Sequence, residues 1–246
     1  MYCNAERKSI NGKKSMRDKP TIKVIIPAYN EENSIAKVIN DIPAGLVQEV
    51  VVVNNNSNDA TDVNARAAGA TILHEKRPGY GYACLKGIEY ITQMPLPPDI
   101  VVFLDADYSD HPEEMTLLVQ AIEEQGMDMI IGSRALGKKE KGSMTVPQVF
   151  GTWLATRLLK VLYGVHYTDL GPFRAIRYNK LLELDMQDTT YGWTVEMQLK
   201  AAKLKMKTME VPVSYRRRIG FSKISGTVKG TIMAGYKIIT TIFKYW

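Results

Sequence analysis

The sequence predicts an α/β fold with a mostly parallel central sheet flanked by helices. Three observations predict it. Short β-rich runs alternate with helical stretches from residue 21 to residue 133. The runs are apolar on both alternating faces, as in strands covered from two sides. Polar groups gather just past the end of each run, where open sheets of this kind bind ligands.

Taken in order, residues 1–20 read as a disordered basic arm, with six bases, two acids and no apolar core to make a leader peptide. TIKVIIPA (21–28) opens the sheet, and VQEVVVVN (47–54), ATILHE (70–75), DIVVFLDA (99–106) and MDMIIGS (127–133) continue it. Helices are expected between them at Glu32–Ile42, Asp59–Ala68, Tyr82–Thr92 and Pro112–Gln125, crossing over with the right-handed sense of such units. Asp110 and Glu113 have the spacing of a capping box for the last of these, and Glu114 reads as a solvated acid. ALGKKEKGSMT (135–145) is a lysine- and glycine-rich loop, and TWLATRLLKVLYG (152–164) is helical. YTDLGPFRAI (167–176) is irregular to extended, YGWTVEMQLKAAKL (191–204) helical, and KTMEVPVSY (207–215) a strand. One continuous domain is therefore expected over 21–225. Residues 226–246 form a separate amphipathic helix, with Ile232, Tyr236, Ile239, Phe243 and Trp246 on one face and Lys229, Lys237 and Lys244 off it.

The bulk numbers exclude several classes. Hydrophobic residues at 45% and charged residues at 24% are globular values. Two cysteines, Cys3 and Cys84, make no disulfide framework and fit a reducing compartment. No apolar run is long enough to span a bilayer. The expected location is the cytoplasm, free or peripheral on the inner face of the membrane. The net charge of +6 is uneven: +4 over residues 1–20, −7 over 21–200, and +9 over 201–246, where ten bases face one acid. A basic tail on an acidic body points to a local anionic partner, such as phosphates or a lipid surface. Nucleic acid is not expected, because neither stacking platforms nor a recognition helix is evident.

The ends of the runs supply the chemistry. Tyr29, Asn30 and Glu31 follow the first, Asn54–Asn56 the second, and Lys76 and Arg77 the third. Asp105 and Asp107 follow the fourth, Ser133 and Arg134 the fifth. In an extended chain the two aspartates point the same way, and two such carboxylates repel unless a cation sits between them. Magnesium or manganese suits these hard oxygens, and bases across the crevice suggest a nucleotide diphosphate held by the metal. KRPGYGYAC (76–84) nearly spells a dinucleotide-binding fingerprint but follows the wrong run; its glycines are expected to start a helix with amides toward the crevice. In SYRRRIGFSKISGT (214–227), Arg216, Arg217, Arg218, Ser222 and Lys223 could grip phosphate.

IPAYNEENSI (26–35), VVNNNSNDAT (52–61), FLDADYSDHPEE (103–114) and IGSR (131–134) together resemble glycosyltransferase family 2, whose GT-A domain binds nucleotide-sugars around a metal-holding D-x-D. TDLGPFRAIRYNKLLEL (168–184), YGWTVEMQLKA (191–201) and EVPVSYRRRIGFSKISG (210–226) are similar to blocks of the dolichyl-phosphate mannose synthases and related polyprenyl-phosphate glycosyltransferases. The resemblance implies a GT-A domain over 21–225, with Pro27, Tyr29, Glu31, Asn54 and Lys76 on the nucleotide-sugar. It implies metal ligation by Asp105 and Asp107, and phosphate or acceptor handling by Arg134, Arg174, Arg218, Ser222 and Lys223. Asp169, beside the GPFR block, would position acceptor or sugar; the implied catalytic set is Asp107, Asp169, Arg218 and Lys223. Two departures stand out. Asn54 and Asn55 replace a usual aspartate pair, leaving uridine against guanosine open, and Ser109 occupies the place of a third metal ligand.

The E-D pair and Q-x-x-R-W block of relatives that glycosylate hydroxyls are missing. A lipid phosphate is already anionic and needs positioning and neutralisation more than a base. The expected reaction is inverting transfer of a hexose from a UDP- or GDP-sugar to a polyprenyl phosphate, with Mg2+ or Mn2+ and a membrane surface met by the basic C-terminal region. Two rival readings are a family 2 enzyme with a hydroxyl acceptor and Glu196 as base, and a nucleotide-sugar-binding protein without catalysis.

Overall fold

The computed structural model describes residues 19–220 and 228–246. The expected basic arm therefore lies outside the described residues except for Lys19 and Pro20, as do Ser222 and Lys223.

β1 (Ile22–Ala28) leads through α1 (Ile35–Asn40) to β2 (Glu49–Asn54), then through α2 (Thr61–Ala67) to β3 (Thr71–His74). α3 (Tyr80–Thr92) returns the chain to β4 (Ile100–Phe103). A 3-10 turn at Pro112–Glu114 and α4 (Met115–Gln125) precede β5 (Met129–Ser133). The second half holds α5 (Val146–Tyr163), β6 (Arg174–Arg177), α6 (Tyr178–Glu183), α7 (Trp193–Lys203), β7 (Thr208–Pro212) and α8 (Val228–Lys244). The seven strands lie in the order β3-β2-β1-β4-β6-β5-β7. All pairs are parallel except those of β6, which runs antiparallel between β4 and β5.

The unbroken apolar runs do bury both sheet faces. Ile25, Val51, Phe103 and Ile131 point to one core, closed by α3, α5, α7 and α8. Their neighbours Val24, Ile26, Val52 and Ile130 point to the other, closed by α1, α2 and α4. Period-two alternation sends one residue up and the next down, so each strand feeds two cores.

Three local expectations are corrected. The capping box is not made: no side chain caps the 3-10 turn or α4. Asp110 is instead buried, with neither carboxylate oxygen hydrogen-bonded among the described residues. Glu114 is not simply solvated, since its Oε2 accepts the Ser214 N–H at 2.6 Å. β4 ends at Phe103, and the chain turns at Ala106 and Asp107 with Tyr108 at φ +64°, so the D-x-D sits in a turn and not on extended chain.

Candidate active site

A cleft of about 430 Å³ opens beyond the carboxyl ends of β1, β2 and β4, at the position open sheets reserve for ligands. Pro27, Tyr29 and Glu31 line it from the end of β1, and Asp105 and Asp107 from the turn after β4. Arg218 lies across from them. Its guanidinium bridges the acids, 3.0 Å from Glu31 Oε1 and 3.1 Å from Asp107 Oδ2. Chain separated by some 110 to 190 residues of sequence is thus brought to one point, and no spacing pattern could reveal that pairing.

The two aspartates differ. Asp107 is fixed by the N–H of Ser109 at 2.9 Å and by its hydroxyl at 2.5 Å. Ser109, expected where relatives have a third metal ligand, therefore serves as a donor to Asp107. Asp105 accepts a hydrogen bond from Tyr80 Oη at 3.1 Å. Burial, and then the Asp107 carboxylate, push its pKa up to about 7. A carboxyl raised in this way by a like charge is relieved by a cation, and two carboxylates flanking one residue are hard oxygen donors of the kind Mg2+ and Mn2+ take. The donor set fits such a metal, with water and ligand oxygens completing it, since no group of three or more acids, histidines or cysteines capable of holding an ion occurs among the described residues.

Other expected residues fall elsewhere. Asn54 is turned from the cleft: its Nδ2 donates to Asp62 at 3.1 Å and its Oδ1 accepts from the Ser57 N–H at 2.8 Å. Asn55 and Asn56 line the cleft in its place, and Asn55 also ties the β3–α3 loop through the carbonyls of Glu75 and Arg77 and the Gly79 N–H. Lys76 is exposed and off the cleft wall. Arg174 is fully buried on β6, donating to the carbonyls of Thr194 and Gly171, and burial pulls its pKa down to about 10. The helix expected from KRPGYGYAC begins within it, at Tyr80, and its N-terminal end is partly sealed. The Tyr82 amide goes to the Thr189 carbonyl at 3.1 Å, so it is not free to face the crevice.

Arg134 and Asp169 form one buried unit at the end of β5. The guanidinium meets the carboxylate twice, at 2.8 and 2.7 Å, and the Arg134 amide adds a third bond at 2.8 Å. Burial alone would lift the Asp169 carboxyl, but Arg134 more than offsets this and holds its pKa below the usual range. Beside this pair lies a second groove of about 360 Å³. Lys139, Arg157 and Lys160 give it a cationic lining, His166 adds an imidazole, and Val149 and Trp153 form an apolar wall. Sequence reading missed this groove because α5 lines it with Val149, Thr152, Trp153, Thr156, Arg157 and Lys160, a mixed polar and apolar stripe, and the helix pattern alone does not say which face is open.

Glu196, the rival candidate for a base, is sealed. Its carboxylate accepts the N–H groups of Gln187 and Asp188 and the Tyr245 hydroxyl, and pairs with Lys200 at 2.9 Å. It is fully buried and lines neither cavity.

Comparison with known proteins agrees on family and fold. The family model described as glycosyl transferase family 2 matches residues 23–184. An uncharacterized glycosyltransferase of Mycobacterium tuberculosis is 33% identical over 216 residues, covering 87% of this chain and 94% of its own. A dolichyl-phosphate hexose transferase of Haloferax volcanii is 31% identical over 209 residues, 82% of this chain and 85% of its own. Among solved structures, glucosyl-3-phosphoglycerate synthase from Mycobacterium tuberculosis, in complex with Mn2+, UDP and glucosyl-3-phosphoglycerate, superposes with a TM-score of 0.72 at 23% identity. That match covers 92% of this chain and 80% of the other.

Proposed function

The chain belongs to glycosyl transferase family 2, with the GT-A fold, and from that premise we propose that it transfers a hexose from a nucleotide diphosphate sugar to a polyprenyl phosphate with inversion. The observation that carries the acceptor class is the cationic groove. Its one acid is Asp169, already neutralised by Arg134, so it offers positive charge, an apolar wall and no free carboxylate base, with His166 as its one imidazole. A hydroxyl acceptor would need such a base. A phosphate monoester of a lipid needs none; it needs its charge matched and its chain lodged. The name of the haloarchaeal relative supports the same class.

On this reading the cleft takes the donor. Tyr29, Asn55 and Asn56 receive the nucleoside, and Asp105 and Asp107 would hold Mg2+ or Mn2+. The metal, when bound, supplies Lewis-acid stabilisation of the departing diphosphate. Arg218 adds a fork of donors on the same side. Asp169, held by Arg134, forms part of the wall of the acceptor groove. The acceptor phosphate oxygen attacks the anomeric carbon from the face opposite the diphosphate, and the bond to the diphosphate oxygen breaks as the new one forms. One displacement inverts the centre, and no proton has to move.

The acceptor would reach the groove from a membrane. α5 exposes Val146, Phe150 and Trp153, and α8 exposes Ile232, Tyr236 and Phe243, with Trp246 exposed just past its end; no helix among the described residues is long and apolar enough to cross a bilayer. Both helices are read as lying on the lipid surface.

The test is incubation with labelled UDP- and GDP-hexoses, Mn2+ or Mg2+, and undecaprenyl phosphate, followed by lipid extraction. Label is expected in the lipid with one donor, absent in Asp107→Ala, and retained at saturating donor in folded Glu196→Gln. No lipid label with any donor sinks the acceptor class, and activity lost in folded Glu196→Gln revives the hydroxyl reading.

A further inference from the structure

Helix α8 is connected to the cleft through one loop. Thr190 and Tyr191 line the cleft, and they belong to the segment that joins α6 to α7. Asp188 organises that segment from within: its Oδ1 accepts the N–H of Thr190 at 2.8 Å and of Gly192 at 3.1 Å. Its other oxygen, Oδ2, meets Lys237 Nζ of α8 at 2.9 Å. Glu196 grips the start of the same segment and is itself held by Tyr245, next to the end of α8.

The opposite side of the loop rests on α3. A Cβ built on Gly81 would lie 2.0 Å from the Asp188 carbonyl oxygen, and one on Gly79 2.3 Å from that of Thr189. These are the glycines of KRPGYGYAC, and close backbone approach accounts for both. The cleft wall is therefore clamped between the first turn of α3 and the side chains of α8.

We propose that Asp188 is a positioning residue for the donor cleft, and that the Lys237–Asp188 pair makes the shape of the cleft depend on the seating of α8. The inference rests on reading the cleft as the nucleotide site. A nearly buried carboxylate that holds two amides with one oxygen and a cation with the other loses its reason to stay once the cation leaves. It then turns toward water, and the amides of Thr190 and Gly192 lose their acceptor. Whatever binds the exposed face of α8 and alters its seating is thereby linked to nucleotide affinity, and the linkage is reciprocal.

The experiment is calorimetric titration of the full chain with UDP and with GDP, each with Mn2+, alongside hydrogen exchange of the loop amides. Lys237→Met and Asp188→Asn are each expected to weaken nucleotide binding about fivefold. The double variant should be no weaker than the worse single, since both remove one link. Lys237→Arg should stay within about twofold of wild type, and the Thr190 and Gly192 amides should exchange faster in Lys237→Met. Lys180→Met, which breaks a surface pair with Glu183 on α6, is the control. Unchanged affinity in Lys237→Met and Asp188→Asn, additive losses in the double variant, or an equal loss in Lys180→Met overturns the proposal. Should Asp188→Asn fail to fold, Lys237→Met carries the test, its side chain being 39% exposed. Should wild type bind neither nucleotide, the reading of the cleft fails separately, and unchanged exchange at Thr190 and Gly192 in Lys237→Met would still overturn the inference.

Discussion

Asp105 and Asp107 stand one residue apart, yet each is held by a different part of the chain. Tyr80 from α3 bonds the first, and Arg218 from beyond β7 the second. The sequence made the D-x-D and its cations legible as chemistry, because residue types state what a group can do. It could not assign the partners, which depend on tertiary folding: Arg134 and Asp169 look like separate phosphate and acceptor groups in the sequence but neutralise each other in the fold. Removing one member of such a buried pair strands the other charge. Asp169→Asn is therefore expected to lose about 3 kcal/mol in urea unfolding. Glu75 gives a pH prediction. Hydrogen bonds and charge from Arg77 lower its pKa to about 2 in the folded chain, below the ordinary glutamate value. The folded state thus binds the proton less readily than the unfolded state. Its contribution is complete above about pH 4.5 and fades as the pH falls toward 2. The stability difference between wild type and Glu75→Gln, followed by acid titration of urea unfolding curves, should shrink across that window and stay flat above it.

At the level of elements, β1 to β5, β7 and the longer helices were legible because burial on two faces and helical period leave strong patterns. α6 was not, since its six residues YNKLLE are too few to show a period. The turn at Asp107 was hidden by the apolar run before it. α8 is expected from the sequence as a separate amphipathic helix with one apolar face, and the fold divides its apolar residues between two stripes. Ile238, Ile242 and Tyr245 pack inward, while the stripe of Ile232, Tyr236 and Phe243 faces out. Glycines test the packing directly. Gly151 on α5 has open space where a Cβ would go, so Gly151→Ala should stabilise by roughly 0.5–1 kcal/mol through helix propensity alone. Gly81→Ala should destabilise by about 1–3 kcal/mol, because the methyl meets the Asp188 carbonyl. Thermal and chemical unfolding of the two variants should shift in opposite directions.

Seen whole, the molecule has an acidic cleft beyond the ends of β1, β2 and β4 and a cationic groove beside the Arg134–Asp169 pair, with α5 lining the groove and packed on α8; Tyr163 of α5 donates to the Ile242 carbonyl of α8 at 2.7 Å. If these helices lie on lipid as proposed, the chain should sediment with vesicles containing anionic lipid. Trp153→Ser combined with Tyr236→Ser should weaken that binding at least about tenfold, from the lost aromatic area. Binding of the double variant equal to wild type would remove lipid from the account. The reversed strand β6 has a consequence for synthesis. Both sheet neighbours of β5, β6 and β7, come later in the chain. As the polypeptide leaves the ribosome, β1 to β4 can pair at once, but β5 has no edge to join until residues 134–173 have followed. At roughly 5–20 residues per second that is a wait of seconds. For that interval a strand destined for full burial is without a ladder, and β6 is the piece that ends the exposure by bridging two strands made before it.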